Sequence, residues 1–136
     1  MTWNDQFIRG YVSKTSKSIT TLQVYSVIYS RQGTWIYPYQ ANYLINEKLI
    51  TDDGVDIASD VDCSSSDLYN SCTYRNDYGF NLDLAIFDEA RRLKSIGKQE
   101  FSYRIKTRAG GDVNRIFNGE EILGLESRMN KVIERL

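Results

Sequence analysis

Three bases, Arg104, Lys106 and Arg108, stand at alternate positions between Phe101, Tyr103, Ile105 and Thr107. On a strand that alternation puts them on one face at intervals of about 6.8 Å, taking roughly 3.4 Å per residue. The interval is close to phosphate spacing along a nucleic-acid strand, and arginine offers paired donors to a phosphate. Gly110 and Gly111 follow, where backbone amides can approach the same anion, and Arg115 extends the set. A solvated outer face, or pairing with acids elsewhere, would explain the same pattern without a ligand.

The acids Asp52, Asp53, Asp56, Asp60 and Asp62 form the second constellation. Their spacing does not match the Asp-x-Asp-x-Asp-Gly of a calcium loop. No Asp/Glu-x-Lys triplet, Walker loop, Gly-x-Gly-x-x-Gly or Cys-x-x-Cys occurs in the chain. Histidine is absent, which removes the commonest general base and the Ser-His-Asp and Cys-His triads. Two cysteines without histidine fall short of an ordinary zinc site. Paired-carboxylate glycoside chemistry is the one route left open, and the acids it would need lie in a loop-like stretch. The expectation is a protein that is not an enzyme and has no catalytic residues, metal or cofactor.

Net charge is −1, but it is unevenly spread. Residues 47–89 carry eleven acids against two bases, and residues 91–115 carry eight bases against two acids. Such blocks either lie side by side and neutralise each other or meet a charged partner. Within the acidic block, Tyr69, Tyr74, Tyr78 and Phe80 flank Arg75. Rings near an arginine can form a protein-binding hot spot or stack bases, though anchoring a long loop to the body is the commoner role. Near the C-terminus, Ile122, Leu125, Met129, Val132 and Leu136 are spaced 3, 4, 3, 4. That stripe serves either packing on a sheet or self-association into a homo-oligomer.

The elements that must position these residues read as follows. Residues 4–12 form a short helix or a strand. The β-branched and aromatic run from Ile19 to Ser30, a turn at Arg31–Thr34 and Trp35–Tyr37 predict a β-hairpin over 19–39, with Pro38 at a strand end. Residues 41–50 read either as one helical face or as strand–turn–strand around Asn46-Glu47-Lys48. Thr51 to Asn76, dense in Asp, Ser and Asn, reads as long loops with room for a short turn of helix. A helix is predicted at 82–96, with Asn81 as N-cap and Gly97 just past its end. Phe101–Arg108 reads as a half-buried strand, Val113–Phe117 as its partner and 120–136 as a final helix. The fold class is α+β in a single domain, 1–136: an antiparallel sheet of four to six strands with both helices packed on it.

Apolar residues make up 41% of the chain and charged residues 26%, as in ordinary globular proteins, with ten tyrosines and five phenylalanines. No stretch approaches a membrane span, and the N-terminus lacks the features of a secretory signal, so the expected location is cytoplasmic. In a reducing compartment Cys63 and Cys72 would be free thiols, although a disulfide closing that short loop is geometrically possible. The functional expectation is a binding or inhibitory protein that occludes a charged surface of another macromolecule. Proteins of that kind are found among phage-encoded antagonists and immunity proteins. Its partner-binding residues would be Asp52, Asp53, Asp56, Asp60, Asp62, Tyr69 and Tyr74, set against a basic protein surface. The alternative is an oligomeric module that sequesters a nucleotide or another phosphate-bearing molecule on Arg104, Lys106, Arg108 and Arg115, with a tyrosine stacking the base.

Overall fold

The computed structural model describes residues 6–30, 35–63, 72–109 and 111–136. Its strands are β1 (Gln6–Ser13), β2 (Ser18–Ser30), β3 (Pro38–Ile45), β4 (Lys48–Asp52), β5 (Val55–Asp62), β6 (Thr73–Leu82), β7 (Glu100–Thr107) and β8 (Val113–Asn118). Helix α1 (Ile86–Ser95) separates β6 from β7, and α2 (Gly119–Glu134) follows β8. The expected α+β class holds, with the strands divided between two antiparallel four-stranded sheets. The first runs β1-β2-β6-β5 and the second β4-β3-β7-β8. Consecutive hairpins alternate between them: β1β2 and β5β6 build the first sheet, β3β4 and β7β8 the second.

Period-two alternation sends one side of each sheet inward. Leu22, Val24, Tyr78 and Phe80 from the first sheet meet Tyr43, Phe101, Tyr103 and Ile105 from the second in one buried cluster. Ile86 and Ala90 of α1 and Ile122 and Met129 of α2 complete it. Polar links also cross between the sheets. Gln6 Nε2 donates to the Ile116 carbonyl at 2.6 Å, and the Tyr103 hydroxyl bonds the Gln6 amide oxygen. Helix α2 packs on α1, β1 and β8, so the early part of its 3–4 stripe is core, while Val132 and Leu136 stay exposed. No helix among the described residues is long and apolar enough to cross a membrane.

Several local expectations change. Of the two alternatives left open for residues 4–12, the strand is the one formed, over Gln6–Ser13. β2 and β3 do not pair with each other: β2 lies between β1 and β6, and β3 between β4 and β7. The hairpin expected over 19–39 is therefore absent, because the apolar side of Ile19–Ser30 is matched by β6, some fifty residues on. Residues 41–50 are strand–turn–strand. Asn46 and Glu47 both take positive φ, 50° and 65°, which gives the two-residue turn whose twist suits a hairpin. The stretch Thr51–Asn76 contains β5 and the ends of β4 and β6. Its Asp and Ser content reads as loop because β5 is an edge strand exposed on both faces, so no apolar alternation is required of it.

Helix α1 starts at Ile86 rather than near Leu82, since Leu82 still belongs to β6. Asn81 is not its cap; Asp83 organises the entry, with Oδ1 accepting from Ala85 N at 2.9 Å and its carbonyl accepting from Ile86 N at 3.0 Å. Gly97, φ 80°, ends the helix as expected. Asn118 caps α2 by accepting from Glu120 N at 2.9 Å, a contact worth about 1 kcal/mol. Cys63 and Cys72 are joined in a disulfide, not free. The β5–β6 register, ending at Asp62 opposite Thr73, delivers the two residues face to face with Cα atoms 4.1 Å apart.

Candidate functional site

The five acids singled out in the sequence fall at and just before β5. Asp52 is built into the fold: its Oδ2 accepts from Asn81 N at 3.0 Å. Asp56 accepts from Asn76 Nδ2 at 3.1 Å, and Asn76 is itself buried. Asp53 accepts the Tyr78 hydroxyl through its main-chain carbonyl, leaving its carboxylate outside. Beyond an irregularity at Ile57, β5 places Asp60 opposite Arg75 and Asp62 opposite Thr73, on the solvent face of the first sheet. Arg75 pairs instead with Asp77 at 2.8 Å, and Asp77 also accepts the Tyr25 hydroxyl at 3.0 Å. All eight residues of β5 are exposed.

The aromatic set divides by the same alternation. Tyr78 and Phe80 point into the core, while Arg75 points out. Tyr74 lies edge-on to Trp35 with ring centroids 4.8 Å apart. Tyr69 lies outside the described residues.

The basic strand is also split. Arg104 and Lys106 share the outer face of the second sheet, and Arg104 Nε donates to Asn114 Oδ1 at 3.0 Å. Arg108 lies past the end of β7, with its guanidinium 4.7 Å from the Tyr39 ring centre. Arg115 lies opposite the core residue Tyr103, and its Nη2 donates to the Val27 carbonyl at 2.7 Å, tying the two sheets together. Among the described residues, no ion pair links Asp52, Asp53, Asp56, Asp60 or Asp62 to Arg104, Lys106 or Arg108. Arg104, Lys106 and Arg108 therefore stand apart from these five acids, and the two charge blocks meet instead on α1, where Arg91 pairs with Asp88 and Arg92 with Glu89, each at 2.7 Å.

Arg104 and Lys106 line an open groove of about 1350 Å³ on the outer face of the second sheet, walled on one side by the C-terminal turn of α1. The sequence reading missed the rest of its lining. Leu44, Leu49 and Ile116 face the groove and are 53%, 64% and 47% exposed. The signal was available in the outward positions of β3, β4 and β8, but it becomes legible only once β3 is known to pair with β7.

No family model matches this chain, and no curated protein or solved structure matches it. The site therefore rests on its own geometry.

One buried acid fixes the groove's wall. Glu89 forms two bonds with Arg92, at 2.7 and 2.9 Å, and accepts Asn46 N from the β3–β4 turn at 3.1 Å. That last bond steadies a turn in which Glu47 holds a left-handed conformation unusual for a residue with a side chain. The Arg92 guanidinium holds the Glu89 carboxyl below its usual range, and the Asn46 amide adds to this, while burial opposes both. Because the folded value is depressed, the stabilisation is complete above the unfolded value of about 4.3 and is lost as pH falls through the folded one. Glu89→Gln should cost about 1–2 kcal/mol at pH 7 and flatten the acid limb of the stability curve, measured by urea unfolding between pH 7 and pH 3. Unchanged pH dependence would show that the contact contributes nothing. No cluster of metal-ligating side chains occurs among the described residues.

Proposed function

We propose that this chain is a non-enzymatic binding protein that sets its acid-rich β5 edge against a basic surface of another macromolecule and occludes it, as an antagonist or immunity protein does. One observation carries the reading: β5 is an edge strand with every residue exposed, and Asp53, Asp60 and Asp62 have no cationic partner among the described residues. Unneutralised charge on one edge steers a basic partner and speeds encounter. The open side of β5 adds main-chain groups that no other described strand pairs, and these can accept a further strand. The disulfide that ties β5 to β6 fits an oxidising compartment better than the cytoplasm expected from the sequence.

Asp52 and Asp56 serve the fold and make poor probes, so the test uses the triple charge reversal Asp53→Lys, Asp60→Lys and Asp62→Lys. A partner captured at low salt should bind the parent with an affinity that falls steeply as salt rises. It should bind the reversed variant at least a hundredfold more weakly, with the melting temperature nearly unchanged. Equal affinity for both proteins, or indifference to salt, would remove this reading.

The nucleotide reading has support from Arg104 and Lys106 but not from a stacking ring. The tyrosines along the groove, Tyr43 and Tyr103, are turned into the core.

A further inference from the structure

From the groove on the second sheet we infer a binding site for an amphiphilic anion, a single apolar chain ending in a carboxylate. It is separate from the β5 edge and lies on the other sheet.

The register of the sheet gives the groove its pattern. Leu49 is paired with Leu44, and Ser102 with Ile116. The Tyr43–Tyr103 pair sets Leu44 beside Ser102, so Leu49, Leu44, Ser102 and Ile116 form one row across all four strands. At roughly 4.8 Å between strands this row is about 14 Å long. The neighbouring row is polar: Thr51 pairs with Asn42, Asn42 with Arg104 and Arg104 with Asn114. Lys106, opposite Gln40, begins the row after that. An apolar strip therefore runs beside two cations.

Three features select the ligand class. Charge is the first. Among the described residues no acid pairs with Arg104 or Lys106, and the Arg104 Nη groups make no hydrogen bond. The groove's acids are placed elsewhere: Glu89 is committed to Arg92 and Asn46, Glu47 lies in the β3–β4 turn, and Glu100 lies four residues before Arg104, roughly 13 Å along the strand. An anionic head is therefore favoured at the Arg104–Lys106 end, where no described acid lines the groove, over the other end, where Lys98 and Arg92 share the lining with Glu47, Glu89 and Glu100.

The second feature is the absence of an aromatic face in the floor, since Tyr43 and Tyr103 are 4% and 2% exposed. The strip is mainly aliphatic and suits a methylene chain rather than a planar base. The third is Asn42, whose Oδ1 is buried without a hydrogen-bond partner. It lies in the polar row next to Arg104, where a water held by the carboxylate head would donate to it.

The test titrates the intact, oxidised protein with decanoate below its micellar range, with decanol and with inorganic phosphate, followed by calorimetry and by backbone amide shifts. Decanoate should bind and move the amides of Leu44, Leu49, Ser102 and Ile116. Decanol and phosphate should each bind at least tenfold more weakly. Arg104→Gln with Lys106→Gln, and separately Leu49→Ser on its exposed edge strand, should each weaken decanoate at least tenfold with the melting temperature unchanged. Phosphate as tight as decanoate would make this a simple anion site, and decanol as tight would make it a merely greasy face. Either result, no binding, or a dimer of this chain that covers the groove would overturn the inference.

Discussion

Replacing Phe80 with alanine is expected to cost about 3–5 kcal/mol, the usual range for emptying a buried aromatic site. Phe80 is fully buried at the meeting of the two sheets. Its ring lies 5.2 Å from that of Tyr103 and 6.3 Å from those of Tyr43 and Tyr78, so it touches residues of β3, β6 and β7 at once. None of these neighbours can collapse into the space without dragging its own strand. At this chain length the loss corresponds to a melting temperature lower by roughly 10–20 °C. Phe80→Leu, which keeps most of the volume, should cost only about 1–1.5 kcal/mol. Urea unfolding checks both, and the slope of the transition should not change. A loss under 1 kcal/mol for Phe80→Ala would mean that the sheets pack less tightly than their ring distances imply.

The second large effect is expected at Gly54, between β4 and β5. Its φ is 62°, and a Cβ there would strike the Tyr78 hydroxyl and come within 2.7 Å of the Gly79 carbonyl oxygen. The left-handed backbone alone costs a side-chain-bearing residue about 1–2 kcal/mol. Displacing Tyr78 also breaks its bond to the Asp53 carbonyl and disturbs a buried phenol whose ionisation is already suppressed by burial. Gly54→Ala should therefore destabilise by about 2–4 kcal/mol. Gly97→Ala supplies the control, since Gly97 has φ 80° with nothing near the missing Cβ; it should show the backbone share alone. Equal losses at the two positions, measured by urea unfolding, would remove the contribution of the Tyr78 contact. Amide exchange in β5 should quicken in Gly54→Ala before the rest of the first sheet responds.

The sequence discloses its local features well and its long-range pairings poorly. The alternation of Phe101, Tyr103 and Ile105 against Arg104 and Lys106 is a property of neighbours, and it identified β7 and its solvent face. Gly97 likewise marked the end of α1. By contrast, β2 and β3 read as the two halves of a single hairpin, because nothing in residues 19–39 records that β2 will pair with β6 and β3 with β7 in separate sheets. The polar composition of Val55–Asp62 hid a strand for a related reason: an edge strand bare on both sides needs no apolar residues, and its partner β6 supplies the core. The acids and bases were found by type alone. That Asp52 and Asp56 hold the fold while Asp53, Asp60 and Asp62 face solvent follows from register, as does the parting of Arg115 from Arg104 and Lys106. The disulfide was open to the sequence as geometry and was set aside on grounds of compartment.

The alternation of hairpins between the two sheets also sets a timetable for synthesis. A chain leaving the ribosome delivers β1β2 to the first sheet and β3β4 to the second, and each is only half of its sheet. The first sheet can close once Leu82 has emerged, whereas the second must wait until Asn118. At about 5–20 residues per second, the stretch between them takes roughly two to seven seconds to appear. Until β7 emerges, complete at Thr107, β3 has no partner along that side, and the inward rings of the finished sheet face an uncovered Tyr43. The nascent chain thus carries one complete layer beside one half-built layer, which β7, β8 and α2 close in succession.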